Sequence, residues 1–170
     1  PLYDWDVLQA EGYTWWINRL KANFSLYDVL RLDHFRAFYD YWKIPAGSED
    51  ARNGTWADGP QDDFFKAIKQ AIPKGDFIAE DLGEIHKKVF QMRDRLGLPG
   101  MAILHFAFEG DASNLYLPHN VKANTVLYPG THDNDTTRGW YDKSSESVKD
   151  YTRHYLRVDG GDIAWDMIRA

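Results

Sequence analysis

The 170-residue sequence predicts an α/β fold with a parallel sheet of the (β/α)-barrel type. Two observations support this prediction. Short apolar segments alternate with amphipathic helices, which is the order of a parallel sheet with helical crossovers. Three of the apolar segments end in carboxylates, and in a (β/α) barrel the catalytic groups lie at the carboxyl ends of the strands. Four predicted strands cannot close an eight-stranded barrel, so the pattern fits either an open parallel sheet or about half of a barrel.

The predicted elements follow in chain order. Residues 1–12 are predicted to be irregular, apolar spacing predicts a helix over residues 13–24, and a strand follows around residues 29–36. Residues 35–63 are predicted to form a long loop, whose Tyr and Trp residues favour an ordered lid or binding wall. The remaining predictions are a helix at 60–72, a strand ending at 80, a helix at 85–96, strands at 100–108 and 125–128, and helices at 144–158 and 162–170.

The composition is that of a globular protein without thiol chemistry. Hydrophobic residues make up 44% of the chain, enough for a packed core, and the absence of cysteine excludes disulfides, thiolate metal sites and cysteine nucleophiles. The net charge of −6 argues against a nucleic-acid partner. The sequence shows no secretory signal and no apolar run of membrane-spanning length, so we expect a cytoplasmic protein with no membrane partner. The aromatic content of 15% fits either sugar-stacking platforms or an aromatic core.

The strand around Arg31 and Asp33 is the first of the three that end in acids. In a strand, Val29, Arg31 and Asp33 face one side of the sheet, whereas Leu30 and Leu32 face the other. A cation and a carboxylate on one face of an apolar strand are costly to bury unless they are paired. The pair fits either a shared catalytic cavity or a buried ion pair that stabilises a sheet.

Two later segments have the same form. Glu80 and Asp81 follow an apolar run at 77–79, and His132 and Asp133 follow the predicted strand at 125–128. Taken singly, the first fits a solvated strand end before a turn, and residues 133–135 fit an Asx turn or a helix cap. Three acidic strand ends at one edge of a sheet are harder to explain by packing, and this favours an active site.

Carboxylates on two sides of a cleft are the groups that cleave glycosidic bonds. Asp33 suits the role of nucleophile, because Arg31 favours its ionised form. Glu80 suits the role of general acid/base, because it lies on a buried strand beside another carboxylate. Asp133 can stabilise an oxocarbenium-like transition state, and His132 can donate a hydrogen bond to the same sugar.

A metal site is the main alternative for these residues. The oxygen and imidazole ligands that it would use are those of Asp33, His34, Glu80, His132, Asp133 and Asp135. However, no His-x-His or His-Glu-x-x-His spacing is present. His34 and Asp33 would also point to opposite faces of one strand. We therefore expect no metal site.

Four motifs closely resemble the 4-α-glucanotransferase family, also called amylomaltase or disproportionating enzyme. They are RLDHFRAF at 31–38, IAEDLG at 78–83, LPGM at 98–101 and GTHDNDT at 130–136. The similarity covers nearly the whole chain and thins after Lys143. The resemblance implies a TIM-type (β/α)8 barrel of the α-amylase clan, of which this chain covers roughly strands four to seven with their helices.

The resemblance also implies an activity and a site. The family moves α-1,4-glucan segments between maltodextrin, starch or glycogen chains, or to glucose, by a retaining double displacement through a covalent glycosyl-enzyme. By resemblance, Asp33 is the nucleophile, Glu80 the acid/base and Asp133 the transition-state stabiliser. Arg31 and His132 match the substrate-contacting pair of the family. No metal and no organic cofactor are implied.

The sequence departs from the family pattern mainly in extent. Leu32 and Ala37 stand where the family often has Ile and Gly, and His105 stands where Gln is common. The first three barrel strands and the eighth are absent. We therefore expect residues 1–170 to be a partial catalytic barrel domain, a fragment of a longer enzyme with an incomplete cleft. Two other hypotheses are an α-glucan hydrolase of the same clan, which would share the three acids, and an inactive glucan-binding fragment.

Overall fold

The computed structural model describes residues 2–170, and the chain divides into two compact units, Pro1–Gly100 and Met101–Ala170. The first unit contains helices α1 (Trp5–Ala10), α2 (Thr14–Phe24), α3 (Gln61–Ala71) and α4 (Lys87–Arg95), strands β1 (Val29–Leu32), β2 (Asp40–Lys43), β3 (Thr55–Asp58) and β4 (Asp76–Ala79), and a 3₁₀ helix at Phe35–Phe38. Strand β5 (Gly100–Ile103) begins at the unit boundary. The second unit continues with a 3₁₀ helix at Leu104–Phe106, strand β6 (Thr125–Tyr128) and helices α5 (Thr137–Lys143), α6 (Glu146–Leu156) and α7 (Ile163–Arg169).

Strands β1 and β4 form a parallel pair, as the alternation of strands and helices predicts. The register runs from Val29 opposite Asp76 to Leu32 opposite Ala79. Helix α3 leads into β4, and it buries Phe64, Phe65 and Ile68. Within residues 2–170 the strands pair as β1 with β4, β2 with β3, and β5 with β6. The structure is therefore mixed α/β with a parallel pair at the expected place.

Three predicted elements differ from the structure. The segment 1–12, predicted to be irregular, contains helix α1, which Asp4 caps by accepting a hydrogen bond from the Val7 N–H at 3.2 Å; Pro1 lies outside the described residues. The long loop at 35–63 contains an antiparallel hairpin of β2 and β3. The strand predicted at 100–108 ends at Ile103, where the chain turns into the 3₁₀ helix. Helix α5 was also not predicted.

Each unit has its own core. Rings dominate the first, where Phe35, Phe38, Phe64 and Phe65 pack with Tyr13 and the aliphatic residues of β1, β4 and α4. The second core surrounds Leu104, Phe108, Leu117 and Met167 and includes Tyr151 and Tyr155 at its edge. Much of the aromatic content therefore serves packing, which was one of the two interpretations that the composition left open.

Alkaline pH is expected to weaken the first core through Tyr13. Its hydroxyl donates to Asp63 Oδ2 at 3.0 Å, and burial, with the adjacent Asp63 carboxylate, raises the pKa of Tyr13 to about 12. Below pH 10 this stabilising contribution is complete, and it disappears as the pH rises towards 12, because the unfolded state then loses the phenolic proton first. The denaturant concentration at the unfolding midpoint, measured from pH 8 to 12, should decrease less with rising pH for Tyr13→Phe than for the wild type. An equal decrease in the two proteins would contradict this expectation.

Candidate active site

The carboxyl ends of β1 and β4 place Asp33 and Glu80 side by side. The strands are parallel, and Leu32 pairs with Ala79 at the last position of the register. Asp33 and Glu80 are the next residues along the two strands, so both leave the sheet at the same edge. The pairing therefore brings two of the predicted acids to neighbouring strand ends.

Backbone groups hold the Glu80 carboxylate in one orientation. Oε2 accepts a hydrogen bond from the His34 N–H at 2.8 Å, and Oε1 accepts one from the Leu82 N–H at 2.9 Å. The main chain of Glu80 is also fixed, since its N–H donates to Leu32 O and its carbonyl accepts from the Phe35 N–H. His34 has a left-handed backbone with φ of 48°, which is uncommon outside glycine. Such strained residues cluster at functional sites, where neighbouring contacts hold them in place.

Arg31 and Asp33 form the ion pair that the sequence suggests, with Arg31 Nη2 lying 2.7 Å from Asp33 Oδ1. Of the two alternatives for this pair, the buried ion pair that stabilises a sheet is wrong. Strand β1 ends at Leu32, and the Asp33 side chain, in the turn that follows, is 73% exposed. The carboxylate is therefore open to a ligand, while the half-buried guanidinium holds its orientation.

Asp81 has a different role from that of Glu80 beside it. It is buried and accepts a hydrogen bond from Nη1 of Arg93, which is also buried and donates to Asp94. Burial alone would lower the pKa of Arg93, but the hydrogen bond to Asp94 and the charge of Asp81 raise it above its ordinary value. A Cβ at Gly100 would lie 2.5 Å from Nη1 of Arg93. This enclosed ion pair anchors the chain directly after Glu80.

In the second unit, Thr131 and Asn134 close the turn that carries His132 and Asp133. Asn134 Oδ1 accepts hydrogen bonds from the Thr131 N–H at 2.8 Å and from its hydroxyl at 3.1 Å. The side chains of His132 and Asp133 are largely exposed, and His132 Nε2 lies 3.4 Å from Asp133 Oδ1. The turn therefore presents both predicted site residues of this unit to solvent.

The neighbouring polar residues account for the turn and the helix start. Asp135 binds Lys143 Nζ at 2.6 Å, and this hydrogen bond lowers the pKa of Asp135. Thr136 caps α5 by accepting a hydrogen bond from the Gly139 N–H. The cap of α5 is therefore Thr136, and the capping interpretation of residues 133–135 is wrong. Asn134 closes the turn and Asp135 binds Lys143, which leaves the Asp133 carboxylate at the surface.

His105 packs under the start of this turn. Its buried ring stacks on Trp140 with centroids 4.9 Å apart, and the backbone N–H of His105 donates to Pro129 O at 3.1 Å. Burial lowers the pKa of His105, although the nearby Asp135 carboxylate opposes this shift, and the imidazole is therefore neutral at pH 7. A Cβ at Gly130 would lie 2.6 Å from the ring. Sequence reasoning noted His105 as unusual but did not identify this contact.

Across residues 2–170, no three His, Asp or Glu side chains come together in a group that could hold a metal ion. Over the same range, no helix combines the length and the apolar character needed to cross a bilayer.

Comparison with known proteins identifies relatives over the whole chain. The family model described as 4-alpha-glucanotransferase, in glycoside hydrolase family 77, matches residues 1–170. The chain is 46% identical to the chloroplastic/amyloplastic 4-alpha-glucanotransferase of Arabidopsis thaliana, with 100% of this chain and 30% of that protein covered. It is 43% identical to the 4-alpha-glucanotransferase of Clostridium butyricum, with 99% of this chain and 35% of that protein covered. The chain therefore spans about a third of the length of these curated relatives.

A solved structure has the same fold over this length. The amylomaltase from Streptococcus agalactiae in complex with acarbose matches with a TM-score of 0.92 and 34% identity, over 99% of this chain and 34% of that chain. The match of the family model to every residue, together with these relatives, shows that the chain belongs to the 4-alpha-glucanotransferase family.

Proposed function

We propose that residues 1–170 are part of the catalytic domain of a 4-α-glucanotransferase. In this proposal the domain is a (β/α)8 barrel, and the chain supplies roughly strands four to seven with their helices. The observation that supports it best is the parallel register of β1 and β4, which brings Asp33 and Glu80 to one edge of the sheet. The threefold greater length of the relatives supports a partial domain within a longer enzyme.

The first chemical step would transfer the donor glucan to the enzyme. An oxygen of the Asp33 carboxylate attacks C1 of the glucose unit at the cleaved linkage and forms a glycosyl ester. The bond between C1 and the glycosidic oxygen breaks, and Glu80 gives its proton to that oxygen. The exposure of Asp33 supports this role, and the two N–H donors at Glu80 would hold the acid beside it.

The second step would reverse these roles. Glu80 takes a proton from the 4-hydroxyl of an acceptor sugar, whose oxygen attacks C1 and releases the Asp33 carboxylate. We assign the stabilisation of the positively charged transition state to Asp133. We assign contacts with the sugar hydroxyls to Arg31 and His132. Inversion at each step gives retention overall.

The proposed donors are α-1,4-glucans, namely maltodextrin, starch or glycogen, and glucose serves as the smallest acceptor. The family description and the acarbose complex of the streptococcal relative support a glucan ligand. We propose a cytoplasmic location, although the relative from Arabidopsis thaliana is named as chloroplastic/amyloplastic. A plastid location would leave the chemistry unchanged.

An α-glucan hydrolase would use the same three acids, and the two activities differ in whether a sugar or water reaches the glycosyl-enzyme. The names of the relatives favour transfer. An inactive glucan-binding fragment remains the expectation for the isolated chain, because β1, β4, β5 and β6, the strands at the predicted barrel positions, are only half of the eight that close a barrel.

The test is to incubate the complete enzyme, and separately residues 1–170, with maltotriose and to separate the products by size. We expect the complete enzyme to form a ladder of longer maltodextrins together with free glucose, and the isolated chain to form neither. Glucose and maltose alone would instead show hydrolysis. Brisk disproportionation by the isolated chain would contradict the proposal that its cleft is incomplete.

Replacing Gly130 with alanine is expected to displace the turn that carries Asp133. The new Cβ would lie 2.6 Å from a buried ring that stacks on Trp140 and has little room to move. We expect kcat for maltotriose to fall about 10- to 100-fold, the size of effect that follows a misplacement of about 1 Å in an active site.

The double variant Gly130→Ala/His105→Ala is the control. It removes the ring that the new methyl group would strike, so it should recover part of the lost kcat relative to Gly130→Ala. If the two variants have equal rates, the steric account of this turn is wrong.

A further inference from the structure

The hairpin of β2 and β3 carries two tryptophans at its surface. Trp42 and Trp56 are opposite each other in the antiparallel register, with ring centroids 5.3 Å apart and planes at 65°. Trp42 is 37% exposed and Trp56 is 56% exposed. We call these two rings the Trp42–Trp56 platform. Adjacent exposed aromatic rings form an apolar patch of the kind that marks ligand-binding surfaces.

Specific contacts fix both rings in the absence of a ligand. The Trp42 indole N–H donates to Ala51 O at 2.7 Å, and Gly54 lies so close that a Cβ there would come within 2.4 Å of the ring. The guanidinium carbon of Arg36 lies 4.3 Å from the Trp56 ring centroid and covers one side of it. Because the rings are held before a ligand arrives, binding to them costs little side-chain entropy.

Arg36 links the platform to the loops that follow the two acids. Its Nε donates to Asp40 Oδ1 at 3.0 Å, and its Nη1 donates to Glu84 O at 2.9 Å. His86 Nε2 lies 2.7 Å from the other Asp40 oxygen. Arg36 is three residues after Asp33, and the Glu84 carbonyl is four residues after Glu80. The platform therefore has a fixed position relative to the proposed nucleophile and acid/base.

The charges around the rings favour a neutral ligand. Arg36 is paired with Asp40, and Arg52 lies 2.7 Å from Asp50. Burial alone would raise the pKa of Asp40, but hydrogen bonds from His86 and Arg36 outweigh it and lower the pKa, so the Arg36 charge stays neutralised at pH 7. A paired set of charges offers no net attraction to a phosphate or a nucleic acid. A glucan is neutral, and the C–H faces of its sugar rings suit indole rings that combine apolar and polar character.

We propose that the Trp42–Trp56 platform is a binding subsite for α-1,4-glucan units beyond the glucose unit at which the bond is broken. The proposal rests on the proposed function of Asp33 and Glu80. It assigns to the hairpin the recognition of chain length rather than a part in the chemistry.

The test compares Trp56→Ala and Trp56→Phe in the complete enzyme, with Trp165→Ala as the control. Trp165 lies on α7 and is 55% exposed, which matches Trp56. Trp56→Ala should raise KM for maltoheptaose about 5- to 10-fold, the value expected for loss of one aromatic contact. It should leave kcat, and the rate with α-glucosyl fluoride, unchanged. Trp56→Phe should restore most of the affinity, and Trp165→Ala should match the wild type.

A direct binding measurement separates this proposal from the proposed function. Maltoheptaose is titrated by calorimetry into Glu80→Gln enzyme with and without Trp56→Ala, so that turnover is slow during the titration. Weaker binding with Trp56→Ala supports the platform. Unchanged binding overturns the platform and leaves the proposed function in place, whereas full transfer activity of Glu80→Gln overturns the proposed function. A large drop in the melting temperature of Trp56→Ala would show that the rings pack against the rest of the enzyme, and it would also overturn the platform.

Discussion

Replacing Glu80 with glutamine is expected to lower kcat for maltotriose about 10²- to 10⁴-fold, the usual contribution of a general acid/base. Glutamine keeps the shape of the side chain and one carbonyl oxygen. It therefore retains one of the two hydrogen bonds from His34 and Leu82, but it cannot protonate the leaving oxygen. Initial rates of glucose release from maltotriose measure the effect.

An activated donor provides the control for Glu80→Gln. With α-maltosyl fluoride, the leaving fluoride needs little protonation, so the glycosyl-enzyme should still form in a rapid burst of fluoride release. The following steady rate should be slow, because the acceptor hydroxyl lacks its base. Equal losses with both donors would mean that Glu80 positions the substrate rather than transferring a proton.

Replacing Arg93 with methionine is expected to lower the free energy of unfolding by about 3–5 kcal/mol, because it leaves the buried Asp81 carboxylate without its cation. Methionine keeps much of the apolar volume, so the loss reports the charge rather than a cavity. The shift in denaturant midpoint in the complete enzyme measures it. We also expect reduced activity, because the residue before Asp81 is Glu80.

A surface ion pair on the same helix gives the matched control. Arg95 lies 3.0 Å from Asp62, and both side chains are exposed, so Arg95→Met should cost about 0–1 kcal/mol. The double variant Asp81→Asn/Arg93→Met should recover part of the loss, because it leaves no unpaired buried charge. If Arg93→Met and Arg95→Met are equally mild, the Asp81–Arg93 pair does not anchor this strand end.

The two strands that precede Asp33 and Glu80 could be predicted from sequence, because each is a short apolar run that an acidic residue follows. The parallel pairing followed from the order of helices and strands. The exposure of Asp33 could not be predicted, because periodicity does not show that β1 ends at Leu32, where the main chain turns to place the His34 N–H on Glu80.

Other features depend on contacts that a single sequence does not show. The hairpin of β2 and β3 was missed because its strands carry charged residues and lack the apolar run that marks the other strands, and because Pro45, Gly47 and Gly54 give the segment between them turn chemistry. Asp81 and Asp133 both follow predicted strands. Yet Asp81 is buried and paired with Arg93 on α4, whereas Asp133 is exposed in the turn that Asn134 closes. Only the tertiary partners distinguish these two acids.

The most direct test of the central claim is to identify the residue that carries the glycosyl group. The complete enzyme with Glu80→Gln is incubated with α-maltosyl fluoride, quenched in acid, digested and analysed by mass spectrometry. We predict that the mass of one maltosyl unit is added to the peptide containing Asp33 and that Asp33→Asn abolishes the label. A label on another carboxylate, or rapid turnover of Glu80→Gln without any label, would contradict the assignment of Asp33 as nucleophile and Glu80 as acid/base.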